Sequence, residues 1–174
     1  MWQIEQADDM TRILLLPALV LSMMTAGFAA EATRGAVTNL PLPRFVSVKA
    51  SEANVRRGPS RAHRIDWVYT RRDLPLRIVA EHGHWRRVED RDGLGGWVHY
   101  SLLSGKRTAL VESDQIVLRM RPLDTAPENA RAGRGVVVRI ESCAIDWCHL
   151  MAGGYRGWAR KDGLWGVAAD EIID

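Results

Sequence analysis

One unit of about sixty residues is written twice in this chain, and that duplication limits the fold more than any other feature. The first copy passes through Val55-Arg56-Arg57-Gly58-Pro59 and the second through Leu118-Arg119-Met120-Arg121-Pro122, both apolar-Arg-x-x-Pro. Trp85-Arg86-Arg87-Val88 is answered by Trp147-Cys148-His149-Leu150, and Gly96-Trp97-Val98 by Gly157-Trp158-Ala159. Leu76 and Ile78 stand nine and seven residues before Trp85, as Val138 and Ile140 do before Trp147. From Val55 to Trp97 is 42 positions, and from Leu118 to Trp158 is 40. Chance does not set five landmarks in one order at such even spacing.

Within each copy the apolar period is two rather than 3.6. Leu74, Leu76 and Ile78 alternate along the chain, and so do Val136, Val138 and Ile140. Turn signals divide the short runs: Gly58-Pro59, His82-Gly83, Asp92-Gly93 and Gly153-Gly154. Asp92-Gly93 and Gly153-Gly154, each between two apolar runs, read as hairpin turns. No helical stretch is visible past the first thirty residues. An all-β fold follows, and short strands in so small a unit bury one apolar face by curling into a barrel. The expected layout is two barrels, at 44–107 and 108–169, with a tail at 170–174 and an extended lead-in at 31–43.

Ile13 to Ala30 is uncharged and ends in Ala26, Gly27, Ala29 and Ala30, the pattern of a secretory signal peptide cleaved near residue 30. The preceding stretch is acidic, with Glu5, Asp8 and Asp9, whereas a start at Met10 would place Arg12 ahead of the apolar run. The expected location is therefore exported, periplasmic or secreted, with membrane attachment only if the segment stays uncleaved. Two cysteines are too few for a disulfide-dense scaffold. In an oxidising compartment the spacing of Cys143 and Cys148 favours a disulfide over free thiols, worth ~2 kcal/mol by loop entropy.

Charge is uneven. Arg44 to Arg107 holds 14 basic and 7 acidic residues, while Thr108 to the end holds 8 and 10. The basic excess sits in the first copy, on residues that suit a carboxylate or phosphate.

The stretch Asn54-Val55-Arg56-Arg57-Gly58-Pro59-Ser60, with Asp66-Trp67-Val68 and Gly96-Trp97-Val98-His99, resembles the bacterial Src-homology-3 domain. The similarity is to the tandem form found in exported proteins of proteobacteria and covers roughly Val46 to Val167. The second copy departs from it in lacking a counterpart of Asp66-Trp67 and in having Ala159 where Val98 stands. The resemblance implies two small barrels acting as a binding or targeting module, in several relatives one directed at the cell wall.

Candidate ligand contacts in the first copy are Arg56, Arg57, Arg64, Trp67, Tyr69, Trp85, Trp97 and Tyr100. Trp67 and Tyr69 fall in the long first loop, where Src-homology-3 barrels commonly place ligand-facing aromatics; there they serve binding or structure equally well. Trp85 and Trp97, like Trp147 and Trp158, fit a groove wall or packing mass. Trp165 fits a position between the barrels. Among His63, His82, His84, His99 and His149 only His82-x-His84 has a ligand-like spacing, so neither a metal nor a cofactor is expected. Papain-like cell-wall peptidases often carry such domains, but their helix-borne Cys and the further residues of that fold have no counterpart, and no catalytic constellation emerges. The expectation is a non-enzymatic envelope binding module, recognising peptidoglycan or its stem peptides through the first barrel. The alternative is a scaffold that docks another envelope protein. Nucleic acid is not an expected partner.

Overall fold

The computed structural model describes residues 33–174, so the signal-peptide reading lies outside the described residues. Sixteen strands follow in chain order: β1 Thr33–Arg34, β2 Pro41–Leu42, β3 Arg44–Val48, β4 Ala53–Arg56, β5 Ile65–Tyr69, β6 Pro75–His82, β7 Trp85–Glu89, β8 Gly95–His99, β9 Leu103–Ser104, β10 Thr108–Val111, β11 Gln115–Arg119, β12 Glu128–Gly133, β13 Val137–Cys143, β14 Trp147–Ala152, β15 Tyr155–Arg160 and β16 Leu164–Trp165. Short 3-10 turns at Tyr100–Leu102 and Lys161–Gly163 precede β9 and β16. Among the described residues no helix is long and apolar enough to cross a membrane.

The duplication is carried down to the hydrogen-bond register. One seven-stranded sheet has the order β5-β4-β8-β7-β6-β3-β9, and the other repeats it as β12-β11-β15-β14-β13-β10-β16. Arg56 pairs with Trp97, and Arg119 with Trp158. Register shifts recur at Val55/Arg56 and Leu118/Arg119, and again at Ile78/Ala80 and Ile140/Ser142. The barrel expectation needs one correction: neither sheet closes. The outermost strands of each sheet, β5 and β9 or β12 and β16, do not pair with one another, and β9 and β16 are only two residues long.

Each sheet instead wraps one core. In the first, Val48, Val55, Leu76, Ile78, Val88 and Val98 converge, and in the second Val111, Leu118, Val138, Ile140, Leu150 and Ala159 take the same places. These are the alternating residues of the sequence pattern, turned inward. One exchange keeps the volume balanced. Ala53 faces Tyr69 across β4 and β5, whereas Ile116 faces Ala132 across β11 and β12. The large side chain has moved to the opposite strand, which explains why the second copy dispenses with a counterpart of Tyr69.

The lead-in is not extended. β1 and β2 form a short hairpin that docks on the first sheet through Glu81. The Glu81 carboxylate, with no exposed surface, accepts hydrogen bonds from the Val37 and Thr38 backbone, the Thr38 hydroxyl and the Arg44 guanidinium. Nor is the tail free. Cys143 and Ile173 exchange backbone hydrogen bonds of 2.7 and 3.0 Å, and the buried Lys161 donates to the Ala169 and Glu171 carbonyls. Cys143 and Cys148 form a disulfide across the β13–β14 hairpin, with Cα atoms 4.0 Å apart.

The two sheets also meet. Trp165 packs edge-on against Phe45 with ring centroids 5.3 Å apart, Thr108 donates to the Asp73 carbonyl at 2.8 Å, and Arg71 donates to the Gly135 carbonyl at 2.8 Å.

Candidate functional site

The outer face of the first sheet is built from residues that alternate with its core. On β4 these are Asn54 and Arg56; on β7, Trp85 and Arg87; on β8, Trp97 and His99. Cross-strand pairing brings Trp85 opposite His99 and Trp97 opposite both Arg56 and Arg87. A cleft of about 360 Å³ opens on this face, lined by Asn54, Arg56, Arg61, Trp85, His99, Ser101 and Leu102. Trp85 and His99 form its aromatic wall, edge to face at 5.4 Å.

The β4–β5 loop forms the opposite wall, and Arg56 holds it there. Its Nη1 donates to the Arg61 carbonyl at 3.0 Å and to the His63 carbonyl at 2.6 Å. That loop fold leaves the Arg61 side chain exposed at the cleft, with no ion-pair partner among the described residues. His99 Nδ1 lies 2.7 Å from the Ser101 hydroxyl and 3.4 Å from the Ser101 backbone nitrogen. Burial, with the charges of His84, Arg61 and Arg86 around it, pushes the His99 pKa below the usual histidine value.

The eight expected contact residues separate into three groups. Arg56 and Trp85 line the cleft; Trp97 shares its face but stands one strand pair farther on; Tyr100 is half-exposed beside it, 5.0 Å from His99. Arg57 and Arg64 both turn to Asp66, at 3.5 and 2.8 Å. The Arg64 hydrogen bond is the main reason the Asp66 carboxyl lies below the usual range. Trp67 and Tyr69 face away from the cleft. They lie on strand β5 rather than in a loop, and their alternate positions turn both toward the core. Tyr69 is buried, with its hydroxyl 3.3 Å from Asp90 and from the Leu94 carbonyl, and burial raises its pKa.

Sequence reasoning did not single out Asn54, Ser101 or Leu102 as ligand contacts, and weighed His99 only within the Gly96-Trp97-Val98-His99 motif and as a metal ligand. The signal for His99 was present, since it lies two residues beyond Trp97 and shares its face by alternation. Arg61 belongs to the arginine cluster of the first copy that sequence reasoning read as suited to a carboxylate, and the Arg56 clamp is what places it at the cleft. Among the described residues no group of three or more His, Cys, Asp or Glu side chains gathers to hold a metal.

The family model of the bacterial SH3 domain matches the chain twice, at residues 49–105 and 112–166. The chain belongs to the bacterial SH3 domain family. The two matches fall on the two seven-stranded sheets, so the protein carries the domain in tandem. No curated protein sequence matches the chain. Among solved structures it is similar to NlpC2 from Trichomonas vaginalis, at 12% identity and a TM-score of 0.33, covering 71% of this chain and 48% of that one. It is also similar to NlpC1 from the same organism, at 13% identity and a TM-score of 0.33, over 75% of this chain and 48% of that one. An NlpC/P60 family protein from Bacillus cereus shows 11% identity and a TM-score of 0.32, over 70% of this chain and 55% of that one. The chain spans about half the length of these proteins, and likenesses so distant bear on no activity of the SH3 pair.

A second cleft, of about 200 Å³, lies at the equivalent place on the second SH3 domain, where Arg119, Asp124, Trp147, Arg160 and Asp162 are among its lining residues. Here Arg119 repeats the clamp of Arg56, donating to the Ala126 carbonyl at 2.8 Å.

Proposed function

We propose that the protein is a non-enzymatic, exported envelope module that recognises peptidoglycan or its stem peptides through the cleft of its first SH3 domain. The observation that carries this reading is the pairing of a half-exposed aromatic wall, Trp85 with His99, and an unpaired cation, Arg61, across an open cleft. Aromatic faces offer apolar contact to sugar rings and side chains, and a guanidinium fork supplies polar specificity. Export is supported by the apolar leader at Ile13 to Ala30 and agrees with the Cys143–Cys148 disulfide. The cleft presents Arg, His, Asn and Ser side chains, donors suited to binding a polar ligand.

The test is co-sedimentation with purified sacculi at low and high salt. Specific recognition predicts binding that survives 0.5 M salt, where the Debye length is roughly 4 Å and a generic basic face is screened. Loss of all binding at high salt, or none at either concentration, would remove the wall reading.

A further inference from the structure

The two clefts share one construction and differ in the charges that line it, and those differences name the missing group. Register makes their positions equivalent. Trp85 faces His99 as Trp147 faces Arg160. Arg61 follows the loop clamp Arg56 by five residues, as Asp124 follows Arg119. Ser101 follows His99 by two residues, as Asp162 follows Arg160.

In the second domain the cleft is filled from within. The Arg160 guanidinium lies over the Trp147 ring, 4.9 Å from its centroid, a cation–π arrangement. Asp124 reaches across from the loop and accepts from both Nε (3.2 Å) and Nη2 of Arg160, a bidentate clasp. The hydrogen bond from Arg160 is the main reason the Asp124 carboxyl is held below its usual range. Tryptophan, strand cation and loop carboxylate thus form a closed stack. In the first domain the tryptophan is present, the strand position holds a protonable ring, and the loop position holds Arg61 instead of an anion. The second cleft contains two carboxylates of its own, Asp124 and Asp162, where the first has Arg61 and Ser101, and it is the smaller of the two.

We infer that the first cleft receives a carboxylate of the ligand, held between Arg61 and His99 beside Trp85, and that Asp124 plugs the second cleft as an internal substitute for it. The inference rests on the cleft being the binding site, but it deepens that reading by naming the recognised group and by closing the second domain to it. A carboxylate entering beside His99 favours its protonated form, so uptake of the ligand is coupled to uptake of a proton by the ring. The plug is an exposed ion pair of modest strength, which one substitution removes.

The experiment follows the assigned indole N–H and histidine signals of the protein by NMR during titration with acetyl-Ala-Ala and, separately, with its C-terminal amide. The expected result is that the free acid shifts Trp85 and His99 with at least tenfold higher affinity than the amide, while Trp147 stays still. In Asp124→Ala the plug is gone and Trp147 responds to the acid as well. In Arg61→Asp, which writes the second domain's carboxylate into the first, the Trp85 response falls at least tenfold. Equal responses to acid and amide, no response at Trp85, or a wild-type Trp147 response as strong as that of Trp85 would overturn the inference. These outcomes are independent of the sacculus assay: wall binding with equal acid and amide responses leaves the wall reading standing and removes this one, and the converse result separates them the other way.

Discussion

Glu81 shows how one side chain can hold a segment that sequence pattern leaves undefined. Burial alone would raise its pKa, but the hydrogen bonds from Thr38, Arg44 and Val37 outweigh that and bring it down from 4.5 to about 2. A carboxyl depressed on folding contributes stability above its unfolded value, and that contribution is lost as pH falls from about 4.5 through about 2. Unfolding followed against pH is therefore expected to show wild type losing more stability across this window than Glu81→Gln. At neutral pH the variant is expected to be about 2–3 kcal/mol less stable, since Arg44 loses its charged partner. Equal acid sensitivity in the two proteins would contradict this role. Trp67 is the complementary case. Because it packs on the core rather than lining the cleft, Trp67→Ala is expected to cost about 2–3 kcal/mol in chemical denaturation while leaving ligand affinity of the folded protein unchanged. Its residue type and neighbours are compatible with a binding loop. Only the strand register of β5, a long-range pairing, turns it inward.

At the scale of elements, the clearest signals were the ones with backbone causes. Gly96 and Gly157 recur because β8 and β15 pass close to the strands beside them: an added Cβ would stand 2.7 Å from the Arg56 carbonyl oxygen in one case and 2.9 Å from that of Arg119 in the other. Gly96→Ala and Gly157→Ala are each expected to destabilise by about 1–3 kcal/mol, measured by thermal unfolding, because a backbone atom cannot swing aside. The Gly153-Gly154 turn has φ of 55° and 87°, the left-handed pair that a two-residue hairpin needs. The disulfide closes a very short ring beside Trp147, and its removal in a Cys143→Ser, Cys148→Ser double variant is expected to cost about 2 kcal/mol. The lead-in hairpin was not legible in the same way. Its Pro41 and Pro43 read as extended chain, and what folds it back is the distant Glu81.

For the whole molecule, the duplication was written in the spacing of Trp, Gly and Arg landmarks, and the two sheets repeat one strand order accordingly. Closure was not, because whether outer strands meet depends on curvature rather than on apolar alternation. The junction of the domains is a small set of contacts centred on Phe45 and Trp165. Phe45→Ala is expected to weaken that coupling, so that a single denaturant transition separates into two, whereas one cooperative transition in the variant would show that the domains are coupled elsewhere. Duplication also let the two clefts diverge, one left open and basic, the other filled by its own ion pair. The asymmetry is the centre of this account, and the most direct measurement of it is sacculus co-sedimentation of wild type, Trp85→Ala and Trp147→Ala side by side. The account predicts at least a tenfold loss of binding for Trp85→Ala and wild-type binding for Trp147→Ala. Wild-type binding by Trp85→Ala, or equal losses in both variants, would contradict it.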